Sequence, residues 1–163
     1  MNDRGEIIFA SPIDLLNSDL FLWRNGHLWQ LTKNVWVKTA RINNKGHILW
    51  VHHCGAVVSV CFWDGKKLTK EYLSCPEALA LSDTDWKCVF CPEIFEPKIT
   101  VISPSGRHWH FKVEGVKLPI IILNDGRVVF AQVHELPARS QLHTPGPPPL
   151  ASSPGRRAPG LSF

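Results

Sequence analysis

The sequence predicts an all-β fold made of antiparallel, four-stranded, blade-like repeats. A polar turn that leads into a short apolar run occurs at residues 42–50, and copies of it occur at 1–9, 82–90 and 123–130. The aromatic residues that close these copies are Phe9, Trp50, Phe90 and Phe130, at steps of 41, 40 and 40 residues. A fixed period of about 40 residues is typical of repeat architectures, in which each unit is one small sheet.

Three further sets of positions recur at steps of 39 to 41 residues. They comprise a strand end (Trp23, Trp63, Ser103), a residue of the following strand (Trp29, Thr69, Trp109) and a turn glycine (Gly26, Gly65, Gly106). Because these positions would have different structural roles, their joint agreement indicates true repetition.

The first copy contains four candidate strands. Residues 7–10 form a short apolar strand, and residues 19–23 form a second strand, which an Asn25-Gly26 turn follows. This dipeptide favours a tight hairpin because both of its residues tolerate positive φ. Residues 27–32 alternate polar and apolar side chains, and residues 35–42 are rich in β-branched ones, so both are predicted strands.

The second and third copies repeat this order. Predicted strands of the second copy are 48–51, 57–63 and 67–72, and residues 77–81 form either a fourth strand or a short helical turn. The third copy has predicted strands at 88–90, 98–102, 108–113 and 119–123.

These elements define one domain and a tail. The repeat domain is expected to span residues 1–136, with repeats at roughly 2–42, 43–82 and 83–123 and a final strand that reaches 133. Residues 137–163 are rich in Pro, Gly, Ser and Arg, so we expect a disordered tail. Its Pro145–Pro148 stretch fits the P-x-x-P pattern of polyproline ligands, although an inert tail is the simpler reading.

Composition excludes some function classes. The net charge of +4 comes largely from Arg139, Arg156 and Arg157 of the tail, and without them 15 basic residues face 14 acidic ones, which argues against a nucleic-acid partner. We expect no membrane insertion, because no apolar run approaches the roughly 18 residues that a bilayer requires. Five cysteines without a secretory signal indicate reduced thiols, hence a cytoplasmic or nuclear location.

Two segments carry a family resemblance. The hairpin at 20–31, Leu-Phe-Leu-Trp-Arg-Asn-Gly-His-Leu-Trp-Gln-Leu, and the turn at 40–48, Ala-Arg-Ile-Asn-Asn-Lys-Gly-His-Ile, resemble HAF-type repeats. The resemblance covers residues 2–131 and implies a propeller-like β-repeat scaffold without a catalytic set.

In a β-propeller each copy would form one sheet, with its apolar first strand in the innermost, fully buried position and its alternating third strand in a more peripheral one. Three copies and one extra strand are too few to close a ring. We therefore expect a fragment or alternative form of a longer propeller, or a chain that closes through further blades or self-association.

A thiol pair offers the main chemical alternative. Cys88 and Cys91 have the spacing of half a structural zinc site, and the remaining ligands could come from four nearby residues: His52, His53, Cys54 and Cys75. The competing interpretation is a buried apolar role, because the repeat aligns Cys88 with Ile48 and Val128.

His108 and His110 share one face of a predicted strand and form a second candidate metal pair, although ordinary strand residues occupy the equivalent positions. The sequence contains no nucleophile elbow, no phosphate-binding glycine loop and no H-E-x-x-H motif. We therefore assign no catalytic, cofactor-binding or metal residues.

The sequence thus favours a non-enzymatic scaffold that binds protein partners. The alternative is a zinc- or ligand-binding β domain that uses Cys88, Cys91 and nearby histidines.

Overall fold

The computed structural model describes residues 1–12, 17–54, 57–73, 75–92 and 96–132. These residues form thirteen β-strands and no helix, which confirms the all-β prediction. The strands are β1 (Ile7–Pro12), β2 (Ser18–Arg24), β3 (His27–Gln30), β4 (Trp36–Ile42), β5 (Ile48–Cys54), β6 (Val57–Trp63), β7 (Leu68–Tyr72), β8 (Ala78–Leu81), β9 (Lys87–Cys91), β10 (Lys98–Ile102), β11 (His108–Lys112), β12 (Val116–Ile122) and β13 (Val128–Gln132). Among the described residues, none belongs to a helix long and apolar enough to cross a bilayer.

The strands form open antiparallel sheets, and none of the sheets in the described ranges closes into a barrel. One network of seven strands runs β1-β2-β4-β5-β6-β7, with β3 paired to β2. A single parallel pair, Ser18 with Trp36, connects β2 to β4. We therefore treat β1–β3 as the first sheet and β4–β7 as the second sheet. The third sheet is β8–β11, and the fourth is β12–β13.

The sheets are out of phase with the sequence copies. The last strand of one copy pairs with the first strand of the next, as the pairs Leu81–Lys87 and Ile122–Val128 show. A five-residue turn separates these strands, and so short a connection favours antiparallel pairing of the two strands that flank it. The expectation of one sheet for each copy is therefore wrong.

This phase also changes the position of the first strands. β5 and β9 have a paired neighbour on both sides, whereas β8 is a sheet edge and β4 touches β2 only through the single pair Ser18–Trp36. The prediction that first strands are fully buried is confirmed for residues 48–51 of β5 and for β9, but these strands lie inside their sheets and not at the inner edge that a propeller blade gives its first strand. The third strands β7 and β11 lie at the opposite sheet edges, as predicted.

Three apolar clusters fill the spaces between the four sheets. Leu20 and Leu22 of β2 pack with Ile48, Trp50 and Cys61 of the second sheet. The second cluster joins the second and third sheets through Leu49, Val51, Val60, Leu79, Val89 and Cys91. The third joins the third and fourth sheets through Ala78, Ala80, Cys88, Phe90, Ile99, Val101, Ile120 and Ile122. Each inner sheet thus buries apolar side chains on both of its faces, because neighbouring sheets stack.

Local turn chemistry agrees with the sequence. Asn25 and Gly26 have φ values of 51° and 77°, the left-handed pair that a two-residue hairpin turn requires. Residues 77–81, the ambiguous segment, contain strand β8. The predicted domain boundary at 136 and the predicted tail at 137–163 lie outside the described residues.

Candidate protein-binding cleft

Four turns of one geometry precede the first strands. They span residues 2–6, 43–47, 82–86 and 123–127. In each, the first N–H donates to the fifth carbonyl and the fourth N–H donates to the first carbonyl. The fourth position always has positive φ, and its occupants are Gly5, Gly46, Asp85 and Gly126.

The turns are hydrogen-bonded to one another in chain order. The N–H of Asp3 donates to Asn44 Oδ1 at 2.8 Å, and the N–H of Asn44 donates to Asp83 Oδ1 at 2.8 Å. The N–H of Asp83 in turn donates to Asn124 Oδ1 at 3.0 Å. We call this row of four turns the turn ladder. It connects four successive sheets at one end of their strands.

The fifth residue of a turn contacts the fourth residue of the next one. His47 Nδ1 lies 2.7 Å from Asp85 Oδ1, and Lys45 Nζ lies 2.9 Å from Asp85 Oδ2. Burial alone would raise the pKa of Asp85, but hydrogen bonds from Lys45, His47 and Asn43 outweigh burial and lower that pKa. The same contact joins the third and fourth turns, where Trp86 is the fifth residue of one and Gly126 is the fourth residue of the other. A Cβ placed on Gly126 would lie only 2.8 Å from the Trp86 ring.

The turn ladder corrects the sequence alignment of the third copy by one residue. Ser82 occupies the place of Asn43, so Lys87 is structurally equivalent to Ile48 and Val128. Cys88, which the sequence aligned with these two residues, therefore points to the opposite face. The Lys87 ammonium lies 4.3 Å from the centre of the Phe62 ring, and burial lowers the pKa of this lysine.

A cleft of about 990 Å³ opens between the third and fourth sheets. Ile99 and Val101 of β10 form its floor together with Trp109 of β11, and Val128 and Phe130 of β13 line it from the fourth sheet. The register explains this shared face, because Val101 pairs with Trp109 and cross-strand partners project to the same side. The centre of the cleft is therefore apolar and aromatic.

Charged side chains lie at the two ends of the cleft. At one end, Lys112 Nζ is 2.7 Å from Glu96 Oε1, and Glu114 also lines the cleft. At the turn-ladder end, Arg127 Nε is 2.7 Å from Asp125 Oδ2. Since both of these basic groups are already ion-paired, the cleft is better suited to an apolar ligand than to a strongly charged one.

Strand β13 borders the cleft and has one edge that is open within the described part of the chain. It pairs with β12, and among the described residues no strand pairs with its other side. Its equivalents β5 and β9 have partners there, namely β6 and β10. Trp50 is 4% exposed, whereas its equivalent Phe130 is only half-buried.

The structure separates the two cysteines of the predicted zinc half-site. Cys88 packs in the cluster between the third and fourth sheets, and Cys91 packs in the cluster between the second and third sheets. They face opposite sides of β9, so they cannot ligate one ion together. Burial raises the pKa of Cys88 to about 12, which disfavours the thiolate that zinc requires.

The other candidate ligands do not converge with this pair. His52 and His53 are adjacent on β5 and project to opposite faces, and the ring of His53 lies 4.6 Å from that of Trp36. Burial lowers the pKa of both histidines. Cys75 is exposed, and the side chain of Cys54 lies outside the described parts. Within the described ranges, no three His, Cys, Asp or Glu side chains form a group that could hold a metal.

The histidine strand has two different faces. His108 and His110 share one face, with ring centres 6.2 Å apart, and His110 Nδ1 lies 3.0 Å from Thr100 Oγ1. Trp109 projects to the other face, where its ring centre lies 5.7 Å from that of Trp86. The candidate site is thus on the side of β11 that the sequence analysis did not select.

Sequence reasoning missed the cleft because it depends on the spacing between two sheets. The available signal was the alternation of Trp109 and Phe111 on an exposed strand. No protein-family model, curated protein or solved structure matches the chain.

Proposed function

We propose that the protein is a non-enzymatic scaffold of β-propeller type, and that the cleft between its third and fourth sheets binds a protein partner. The observation that carries this proposal is an aromatic cleft beside the open edge of β13. Trp109 and Phe111 are 41% and 51% exposed in it. Solvent-exposed aromatic rings that line a groove are typical anchors for protein partners.

The propeller assignment is supported by the order of the sheets. Successive antiparallel sheets stack face to face, and the turn ladder joins them in chain order. The outer face of the first sheet exposes Ile7, Phe9 and Trp23. An apolar terminal face is one that a further sheet would cover. We therefore propose that further blades, or a second molecule of this chain, complete the stack.

A selection from a random peptide library displayed on phage tests the binding function. The full chain serves as bait, and the enriched clones are then measured against Trp109→Ser and Trp29→Ser. Trp29 is the equivalent tryptophan of β3, is 58% exposed and lies outside the cleft. We expect clones that lose at least tenfold in affinity with Trp109→Ser and keep their affinity with Trp29→Ser. Clones that respond equally to both substitutions would contradict the proposed site.

A further inference from the structure

We propose that the partner binds as an extended strand that pairs with the open edge of β13 and places a large apolar side chain opposite Val128. This inference rests on the proposed function, because it describes how the same cleft recognises its partner. Strand addition at a sheet edge is an established mode of peptide recognition. It supplies backbone hydrogen bonds along the strand and side-chain pockets at alternate positions.

The other three sheets show which residue stands at the position that corresponds to the one opposite Val128. In the second sheet β6 pairs with β5, and Trp63 stands opposite Ile48. In the third sheet β10 pairs with β9, and Ile102 stands opposite Lys87. In the first sheet Trp23 stands opposite Ile7. The position opposite Val128 of the fourth sheet is therefore expected to require Trp, Ile or a residue of similar size.

The surfaces that would receive this side chain are also equivalent. Trp63 and Cys61 pack against Leu20 and Leu22 of the preceding sheet. In the cleft, Ile99 and Val101 of β10 hold the places of these two leucines, by the same register. An added strand would thus find an apolar floor built like the one beneath β6.

The residue two positions before the large side chain projects to the same face. In the first sheet, whose equivalent face is exposed, it is Phe21; in the second and third sheets, which each pack on a preceding sheet, it is Cys61 and Thr100. Both are fully buried, at 1% and 0% exposure. We therefore expect a small residue opposite Phe130 and a pattern of small residue, any residue, large apolar residue in the bound strand.

The occupant is a separate polypeptide. Of the 13 prolines in the chain, seven lie in residues 134–163. Proline lacks the N–H that strand pairing requires, so this segment is poorly suited to the edge. The apolar strands of a second copy are likewise unsuited, because β6 and β10 already pair on both sides within their own sheets.

The test uses the full chain and a fluorescent peptide, Lys-Lys-Val-Ser-Val-Thr-Phe-Trp, which follows β6 with threonine in place of its cysteine. We expect saturable binding by fluorescence anisotropy, and a loss of at least tenfold when the terminal Trp is replaced by Ser. N-methylation of every second peptide residue removes the N–H donors along one edge of the strand and keeps those along the other edge. The two possible methylation patterns therefore distinguish the two edges. Methylation on one edge should weaken binding at least tenfold, whereas methylation on the other should leave it within twofold.

Hydrogen exchange of β13 identifies the occupant. The amides of β13 that donate to β12 are protected in any case, so the informative amides are the remaining ones of Val128–Gln132, and peptide binding should slow exchange at these. If these amides are protected without peptide, the chain's own segment fills the edge; if protection grows with protein concentration, a second copy does. Either result overturns the proposal, as does an absence of peptide binding or equal sensitivity to both methylation patterns. Library clones that depend on Trp109 but ignore backbone methylation would refute strand addition and leave the proposed function standing.

Discussion

Substitution of Gly126 by alanine should destabilise the protein more than substitution of Gly106 by alanine. Both glycines occupy the fourth position of a turn with the same two backbone hydrogen bonds, and their φ values are 88° and 84°. An L-residue at such φ costs about 1 to 2 kcal/mol, and this cost is common to both variants. The difference between them is the space around the added methyl group.

At Gly126 the new Cβ would lie 2.8 Å from the Trp86 ring, whereas at Gly106 no atom lies within 4 Å. Displacing a packed indole ring adds about 1 to 3 kcal/mol, the usual range for overpacking. Gly126→Ala should therefore lose about 2 to 5 kcal/mol in total, and Gly106→Ala about 1 to 2 kcal/mol.

The assay is urea unfolding followed by tryptophan fluorescence, with the free energy of unfolding taken from the midpoint and slope. In a Trp86→Ala background the two alanine variants should lose equal stability, because the ring that Gly126 accommodates is gone. Equal losses from the two glycine substitutions in the wild-type background would refute the packing of Trp86 on the fourth turn.

Three further predictions follow from the turn ladder and the core. Asn44→Ala and Asp83→Ala should each cost about 1 to 2 kcal/mol and show a coupling energy of at least about 0.5 kcal/mol in a double-mutant cycle measured by urea unfolding, because Asn44 Nδ2 donates to Asp83 Oδ2 at 3.0 Å; strict additivity would contradict the contact. The lowered pKa of Asp85 contributes stability that is present above about pH 4 and lost as the pH falls through the folded-state value, so Asp85→Asn should flatten the acid limb of thermal melting curves, and an unchanged limb would refute this role. Alkylation at pH 8 followed by peptide mass spectrometry should modify exposed Cys75 and spare native Cys88, whose pKa is about 12, and rapid labelling of Cys88 would contradict its burial.

Much of the fold is readable from the sequence because its signals are local. Asn25-Gly26 determines a hairpin through its own φ preferences, and the alternation of 27–30 determines a strand without reference to the rest of the chain. The assignment of strands to sheets, by contrast, has no local signal. A repeated string of four strands has the same pattern whichever strand is taken as first, so only the structure reveals that β4 pairs with β5.

The register error at the third copy has a chemical explanation. The sequence alignment relied on Phe90 as the equivalent of Trp50, but the side-chain acceptor that closes the turn is the better marker. Asn43 Oδ1 accepts from the N–H of His47 at 2.9 Å, and Ser82 Oγ accepts from the N–H of Trp86 at 3.0 Å. Asn and Ser both form such local bonds to the backbone.

The buried position of Lys87 shows why pattern alone was insufficient there. A lysine at the start of a strand suggests solvent exposure, yet its ammonium lies over the ring of Phe62 and its stem is buried. The cleft could not be predicted from the sequence either, since it depends on the distance between β13 and β10. Neither distance nor sheet order is encoded by the periodicity of one strand.

Amide hydrogen exchange at the second residue of each ladder turn tests the stacking of the sheets most directly. The amides of Asn44 and Asp83 donate to the next turn, whereas the amide of Asn124 has no acceptor among the described residues. We predict slow exchange at Asn44 and Asp83, fast exchange at Asn124, and loss of the Asn44 protection in Asp83→Ala. Exchange at Asn44 and Asp83 as fast as at Asn124 would contradict the turn ladder and the sheet order built on it.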